Sequence, residues 1–224
     1  MKTSPDRNII RQRKAFDNNE VLLADVRYKK IYNLLKKFPK RKVLEIGCSD
    51  GEFLKLLKVE GWEVKGLEVS KKAVQKARKK GIDADVCDVN NKLPLKDNSF
   101  DVIVAGEVME HLFEDLDFLD ECHRVLKEEG ILIVTTPNLI SLKNRILMFL
   151  GFNPRYAIDD HHYHVYTPRL IKNLFKRSKF NKTKIKGNFI IYSSGREKIL
   201  GTFFEKLAEF IPEWAEHFII ISRK

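Results

Sequence analysis

The sequence predicts an α/β fold built on a doubly wound, mostly parallel sheet of seven strands. Three observations carry this. Strand-like and helix-like runs alternate between residues 41 and 140, the pattern of a parallel sheet with crossover helices. The first strand-like run passes into a glycine-bounded turn and then a helix-like run in VLEIGCSDGEF, residues 43–53. Two more strand-like runs, KTKIKGNFIIY and FIIISRK, close the chain.

The elements follow in order. RKVLEIG reads as a strand, and EFLKLLKVEG as a helix with Phe53, Leu54 and Leu57 on one face and Gly61 at its end. EVKGLEVS is a strand, KKAVQKARKKG a helix closed by Gly81, and DADVCDV a short strand. FDVIVAGE is nearly all apolar, as expected of a strand buried on both faces. Residues 114–129 repeat Leu116, Leu119, Cys122, Val125 and Leu126 at helical spacing, with Gly130 as the expected C-cap. ILIVTTP is the fifth strand. Residues 139–150 read as an apolar and basic helix ending at Gly151, and 152–167 as a loop rich in aromatics and histidine. TPRLIKNLFKRS begins a helix with Thr167 as N-cap and Pro168 at its first position. The first 40 residues read as one or two amphipathic helices.

At 224 residues the chain is long enough for one α/β domain with a sizeable core. No apolar run is long enough to span a bilayer, and the N-terminus lacks the apolar stretch of a secretory signal. Cys48, Cys87 and Cys122 are odd in number and scattered, which points to a reducing, cytoplasmic setting. The net charge of +11 is unevenly spread. Residues 1–40 carry 11 Lys/Arg against 4 Asp/Glu, and residues 141–187 carry 11 against 2, whereas 41–140 carry 15 against 20. The two basic flanks are either a solvated face or a site for an anionic partner.

Ligands of doubly wound sheets bind at the carboxyl ends of the strands. Gly47 and Gly51 follow the first strand and allow a tight turn with close backbone approach. The turn lacks the full G-x-G-x-x-G that brings a helix N-terminus onto a pyrophosphate. Glu45 before it and Asp50 within it disfavour a polyanion and suit a ligand with a cationic end. Glu68, at the end of the second strand, is placed to accept both hydroxyls of a ribose.

With these features in order, the chain resembles the class I S-adenosylmethionine-dependent methyltransferases. VLEIGCSDG is similar to their first motif, GLEVS to their second, and VCDVNNKLPLKDNSFDVIVAGEVMEHL to their third and fourth. The resemblance is tight over 41–138. It implies a single Rossmann-like methyltransferase domain over 1–224: N-terminal helices (1–40), a cofactor-binding core (41–138), a small helical substrate cap (139–180) and C-terminal strands (181–224). It implies S-adenosylmethionine as cofactor, with Glu45, Gly47 and Gly51 around the methionine part. Glu68 is implied at the ribose, Asp88 and the backbone of Val89 at the adenine, and Ala105 and Gly106 on the methionine side. Cys48, Ser49 and Val69 complete the implied cofactor set. Many members have glycine where this chain has Ser49, which is expected to alter packing only slightly.

Glu107, Glu110 and His111 stand at i, i+3 and i+4, so a helix beginning after the fourth strand would put them on one face. His161, His162 and His164 come later. Two carboxylates and two imidazoles, Glu107, Glu110, His111 and His162, suit a divalent cation such as Mg²⁺, Mn²⁺ or Zn²⁺. A similar E-x-x-E-H resembles ubiquinone-biosynthesis O-methyltransferases and terminal 2′-O-methyltransferases of small RNAs. The same residues equally suit packing and hydrogen bonding without a metal. Catalytic candidates are His111, Glu110 and His164. The segment after Pro137 resembles the cap of MetW proteins and type 11 methyltransferases. The expected reaction is methyl transfer to a small molecule, at a hydroxyl oxygen. The alternatives are an RNA acceptor, using Arg145, Arg155, Arg169, Lys172 and Lys176 with Tyr156 or Tyr163, or a non-catalytic partner protein. The sequence leaves the oligomeric state open.

Overall fold

A computed structural model of the chain describes residues 26–39, 41–155, 162–190 and 206–224. The expected helices before residue 26, and Tyr156 and His161, lie outside these. Contacts gather into two compact units, Met1–Cys87 and Asp88–Lys224. The seven strands follow the order β3-β2-β1-β4-β5-β7-β6.

The first unit holds helix α1 (Val26–Leu35), β1 (Lys42–Ile46), α2 (Glu52–Val59), β2 (Glu63–Glu68), α3 (Lys71–Lys79) and β3 (Ala84–Val86). β1 pairs with β2 and β2 with β3, both in parallel. α2 buries Phe53, Leu54, Leu56 and Leu57, each contributing about 1.5–3 kcal/mol by leaving water. α1 joins this core through Ile31 and Leu35, each 1% exposed, and stacks Tyr28 against Phe53. Ser70 caps α3 by accepting from the Ala73 N–H.

The second unit holds β4 (Phe100–Gly106), a single 3₁₀ turn (Met109–His111), α4 (Asp115–Val125), β5 (Leu126–Pro137), α5 (Leu142–Phe149), α6 (Pro168–Arg177), β6 (Asn181–Gly187) and β7 (His217–Arg223). β4 and β5 are parallel, while β7 runs antiparallel to both β5 and β6. The fold is therefore the expected mostly parallel one with an antiparallel hairpin at one edge. β6 alternates exposed and half-buried residues, and its lysines guard the sheet edge. Thr167 caps α6 by accepting from the Leu170 N–H, with Pro168 at the start.

Two expectations change. Gly130 is no helix cap, because α4 stops at Val125 and Leu126 already pairs with Phe100. Lys127 then bonds Asp101 at 2.9 Å, holding that early strand entry. The expected helix carrying Glu107, Glu110 and His111 does not form either. Glu107 takes a left-handed φ of 54°, and only the 3₁₀ turn follows.

Candidate functional site

In the first unit, the turn after β1 alternates ordinary and left-handed residues: Gly47 at φ 73°, Ser49 at 47° and Gly51 at 77°. The N–H groups of Gly47 and Cys48 both donate to the Leu67 carbonyl, and Gly51 N–H donates back to Cys48. Ser49 thus occupies a conformation that glycine adopts freely and other residues adopt at a cost of roughly 1–2 kcal/mol. Ser49 thus differs from a glycine in backbone conformation as well as in size. Glu68 holds the strained residue in place. Its Oε2 accepts from Ser49 N–H at 3.0 Å and its Oε1 from Ser70 N–H at 2.9 Å.

Glu45 is 2% exposed, and burial pushes its carboxyl up to about 8. A Tyr28 hydrogen bond opposes that shift and Glu68 adds to it. Asp50 is bonded to Lys80 at 2.6 Å, and Glu52 to the same ammonium at 2.7 Å. The negative charge of the turn therefore rests on Glu68, because Glu45 keeps its proton near neutral pH and Asp50 is paired with Lys80. Cys48 is buried, and its thiol is pushed up to about 12 by burial and then by Glu45 and Glu68, so it is a packing residue without thiolate character. Gly66 makes room for it, since a Cβ there would meet the Cys48 sulfur at 2.5 Å. Val69 is 67% exposed just beyond β2.

In the second unit, Asp88 closes a turn by accepting from the backbone and side chain of Asn90, both at 3.0 Å. Asn90 in turn accepts from Phe113 N–H, tying the stretch beside Val89 to the 3₁₀ turn. Ala105 is fully buried in β4, and Gly106 pairs with Thr135.

The histidine-rich segment reaches the 3₁₀ turn through backbone. The N–H groups of Tyr163 and His164 both donate to the Glu110 carbonyl, at 2.8 and 3.2 Å. The rings of His111 and His162 lie 4.6 Å apart. Glu110 is 1% exposed and accepts from Thr136 Oγ1 at 3.1 Å. One ligand atom from each of Glu110, His111 and His162 lies within 4.8 Å of the others. A tetrahedral ion with bonds of about 2.0–2.2 Å needs its ligands about 3.5 Å apart. The trio therefore has suitable donors and needs to close by about an ångström. His164 points elsewhere, its Nε2 3.3 Å from the Phe113 carbonyl.

Glu107 is outside this trio. It accepts from Thr135 Oγ1 at 2.9 Å, and its other oxygen is 3.4 Å from His217 Nε2. Thr135 and Thr136 are consecutive in β5, so their side chains leave on opposite faces and take Glu107 and Glu110 with them. His217 was missed in the sequence, being a lone histidine before an apolar run. Asn188 orders it. Asn188 Oδ1 accepts from the N–H groups of Phe189 and His217, which turns its amide nitrogen toward His217 Nδ1 at 3.1 Å. Nδ1 must then accept, so the neutral ring carries its proton on Nε2, the side of Glu107. Also missed were Asn138 and Asn144, both fully buried. Asn138 donates to the carbonyls of Glu213 and Ala215, and Asn144 accepts from Arg155 N–H, so together they hold both ends of the stretch 138–155. The only signal was the T-T-P-N stretch at the end of β5.

The family model described as a methyltransferase domain matches residues 44–134. Residues 44–134 are thus similar to a methyltransferase domain. A probable S-adenosylmethionine-dependent methyltransferase of Mycobacterium tuberculosis is 38% identical over 102 residues, covering 45% of this chain and 37% of that protein. A ubiquinone biosynthesis O-methyltransferase of Actinobacillus pleuropneumoniae is 29% identical over 121 residues, covering 50% of this chain and 51% of that protein. The chain thus spans about half or less of the length of these curated relatives. The crystal structure of an S-adenosylmethionine-dependent methyltransferase from Archaeoglobus fulgidus superposes with a TM-score of 0.65 over 94% of this chain and 99% of that one, at 21% identity. The fold of that solved structure is thereby shared across nearly the whole chain.

Proposed function

We propose that the chain binds S-adenosylmethionine and transfers its methyl group to a hydroxyl oxygen of a small molecule. One observation carries this: the stretch matched as a methyltransferase domain holds the glycine turn, Glu68, Asp88 and Gly106 in their expected order. Bound S-adenosylmethionine supplies an electrophilic methyl on a sulfonium. Glu45, Gly47, Cys48, Ser49 and Gly51 are assigned to the methionine part, Glu68 and Val69 to the ribose side, Asp88 and Val89 to the adenine, and Gly106 to the methionine side. Two of the four lone-pair positions of the Glu68 carboxylate are taken by Ser49 and Ser70, which leaves two for ribose hydroxyls. His111, or His164 across the cap, would take the acceptor's proton, with Glu110 buried beside them. A ubiquinone biosynthesis O-methyltransferase among the relatives fits oxygen as acceptor, while a ubiquinone/menaquinone biosynthesis C-methyltransferase of Desulfotalea psychrophila, 33% identical over 124 residues, fits carbon. Three free cysteines fit a reducing, cytoplasmic setting.

A second reading adds a divalent cation on Glu110, His111 and His162, favoured by their closeness. There it would lower the pKa of an acceptor hydroxyl. Calorimetric titration separates these ideas. Saturable binding of S-adenosylmethionine but not ATP supports the cofactor assignment, and no binding of S-adenosylmethionine overturns it. Zn²⁺ or Mn²⁺ binding that disappears in His111→Ala and His162→Ala supports the cation, and binding that persists in both removes it. An RNA acceptor on Arg145, Arg155, Arg169, Lys172 and Lys176 would instead show salt-dependent RNA binding.

A further inference from the structure

We propose that the end of α5 is a docking tip that inserts into the surface of an anionic lipid bilayer. The tip collects Ile146, Met148, Phe149, Leu150 and Phe152, respectively 51, 42, 90, 61 and 63% exposed. Five large apolar side chains in seven positions form a patch, unlike the single exposed hydrophobics common on any surface. The chain turns back at Gly151, φ 80°, where an added Cβ would have nothing within 4 Å.

The distribution around the helix selects the occupant. At about 100° per residue, positions 146, 148, 149 and 150 fall near 0°, 200°, 300° and 40° around the axis. A helix that docks into a protein groove presents one stripe at i, i+3, i+4 and i+7. Here the last turn of α5 is bare nearly all round, which suits immersion in a fluid apolar phase and leaves half of it exposed in any one groove.

Charge completes the argument. Lys143, Arg145 and Arg155 are exposed along the same segment, and Arg145 is braced by donating from Nε to the Ile140 carbonyl at 2.7 Å. The chain has no Asp or Glu between Glu129 and Asp159. The charged residues between Glu129 and Asp159 are all basic, and each draws the tip toward an anionic headgroup layer. A second copy of the chain would bring an identical basic collar against this one. A nucleic acid would use the cations and the two phenylalanines but gain nothing from Ile146, Met148 and Leu150. The helix is too short to cross a bilayer, and among the described residues no helix is long and apolar enough to do so.

The test is flotation of the full chain with vesicles of phosphatidylcholine alone or with about one third phosphatidylglycerol. Wild type should float with the anionic vesicles and be released by high salt. Phe149→Ser with Phe152→Ser should weaken flotation by about tenfold or more, while the melting temperature, which these exposed residues do not set, stays unchanged. Lys143→Gln and Arg145→Gln should each weaken binding to the anionic vesicles by about fivefold. Wild type that stays unbound, or a Phe149→Ser, Phe152→Ser variant that floats as well as wild type, overturns the proposal. So does a dimer in light scattering that this variant dissolves, which would make a second copy the occupant. Salt-sensitive binding to RNA with no binding to vesicles overturns it as well.

Discussion

Replacing Glu68 should damage two things that can be measured apart. In the free chain the carboxylate accepts two backbone hydrogen bonds, from Ser49 and Ser70. Hydrogen bonds to a charged group are worth about 1.5–3 kcal/mol each, and half-exposed ones fall toward the neutral value of about 1 kcal/mol. Glu68→Ala should therefore cost about 2 kcal/mol of stability, or about 4–8 °C in a chain of this size. Relaxation of the left-handed Ser49 backbone, once its acceptor has gone, offsets part of this loss. Glu68→Gln keeps one acceptor oxygen and should lose about half as much. Cofactor affinity is a separate matter. If the remaining lone pairs take the ribose hydroxyls, Glu68→Ala should weaken S-adenosylmethionine by about 10- to 100-fold in calorimetry. A cofactor lacking the 2′-hydroxyl should bind wild type more weakly than S-adenosylmethionine but bind Glu68→Ala equally well. An unchanged melting temperature refutes the clamp on Ser49. An unchanged affinity, or a variant that still discriminates the 2′-hydroxyl, refutes the ribose assignment.

Three further outcomes follow from single residues. Glu45 has a raised carboxyl in the folded chain, so the folded state holds a proton that the unfolded state releases between the ordinary glutamate range and about pH 8. Stability should fall as pH rises through that window, by up to about tenfold in the folding equilibrium per unit; urea denaturation at pH 5.5 and 8 should show this slope in wild type and its loss in Glu45→Gln, and equal slopes refute it. Gly51→Ala combines φ 77° with a Cβ 3.0 Å from that of Ala77 and 3.2 Å from Ile82, so it should cost about 1–3 kcal/mol in the same assay. Asn188→Asp replaces the donor facing His217 Nδ1 with an acceptor, which should favour the doubly protonated ring and raise its pKa; a histidine titration by NMR that does not move upward contradicts the assigned tautomer.

The fold was legible where one period dominates. β1, α2, β2 and α3 carry clean strand and helix patterns, and glycines 61 and 81 mark the helix ends with left-handed turns. α4 misled by one turn. Leu126 continues its apolar stripe, yet it is fully buried as the first residue of β5. A leucine there satisfies both patterns, and only pairing with Phe100 decides between them. Ser49 was read by size, although its significance lies in a backbone angle that sequence does not display. Asn138 was marked only by the T-T-P-N stretch, and Asn144 and Asn188 not at all, because a buried asparagine looks like any polar residue until its partners, up to 77 positions away for Asn138, are known.

The acidic pair after β4 shows most directly why spacing alone could not assign the site. Glu107 and Glu110 share a face only if a helix begins at once, and it does not, because the chain turns through a left-handed Glu107 first. Their separation is then set by β5, where consecutive threonines point to opposite faces. Thr135 takes Glu107 toward His217 and Asn188, and Thr136 takes Glu110 toward the histidines. β7 makes the first of these arrangements by running antiparallel to β5, with His217 opposite Pro137 and Ile219 opposite Thr135. A strand with period two, fixed by a partner about 80 residues downstream, thus decides which acid lies beside the histidines. Under this geometry Glu107 is a carboxylate held by Thr135 beside His217, and of the two acids it is Glu110 that lies beside His111 and His162.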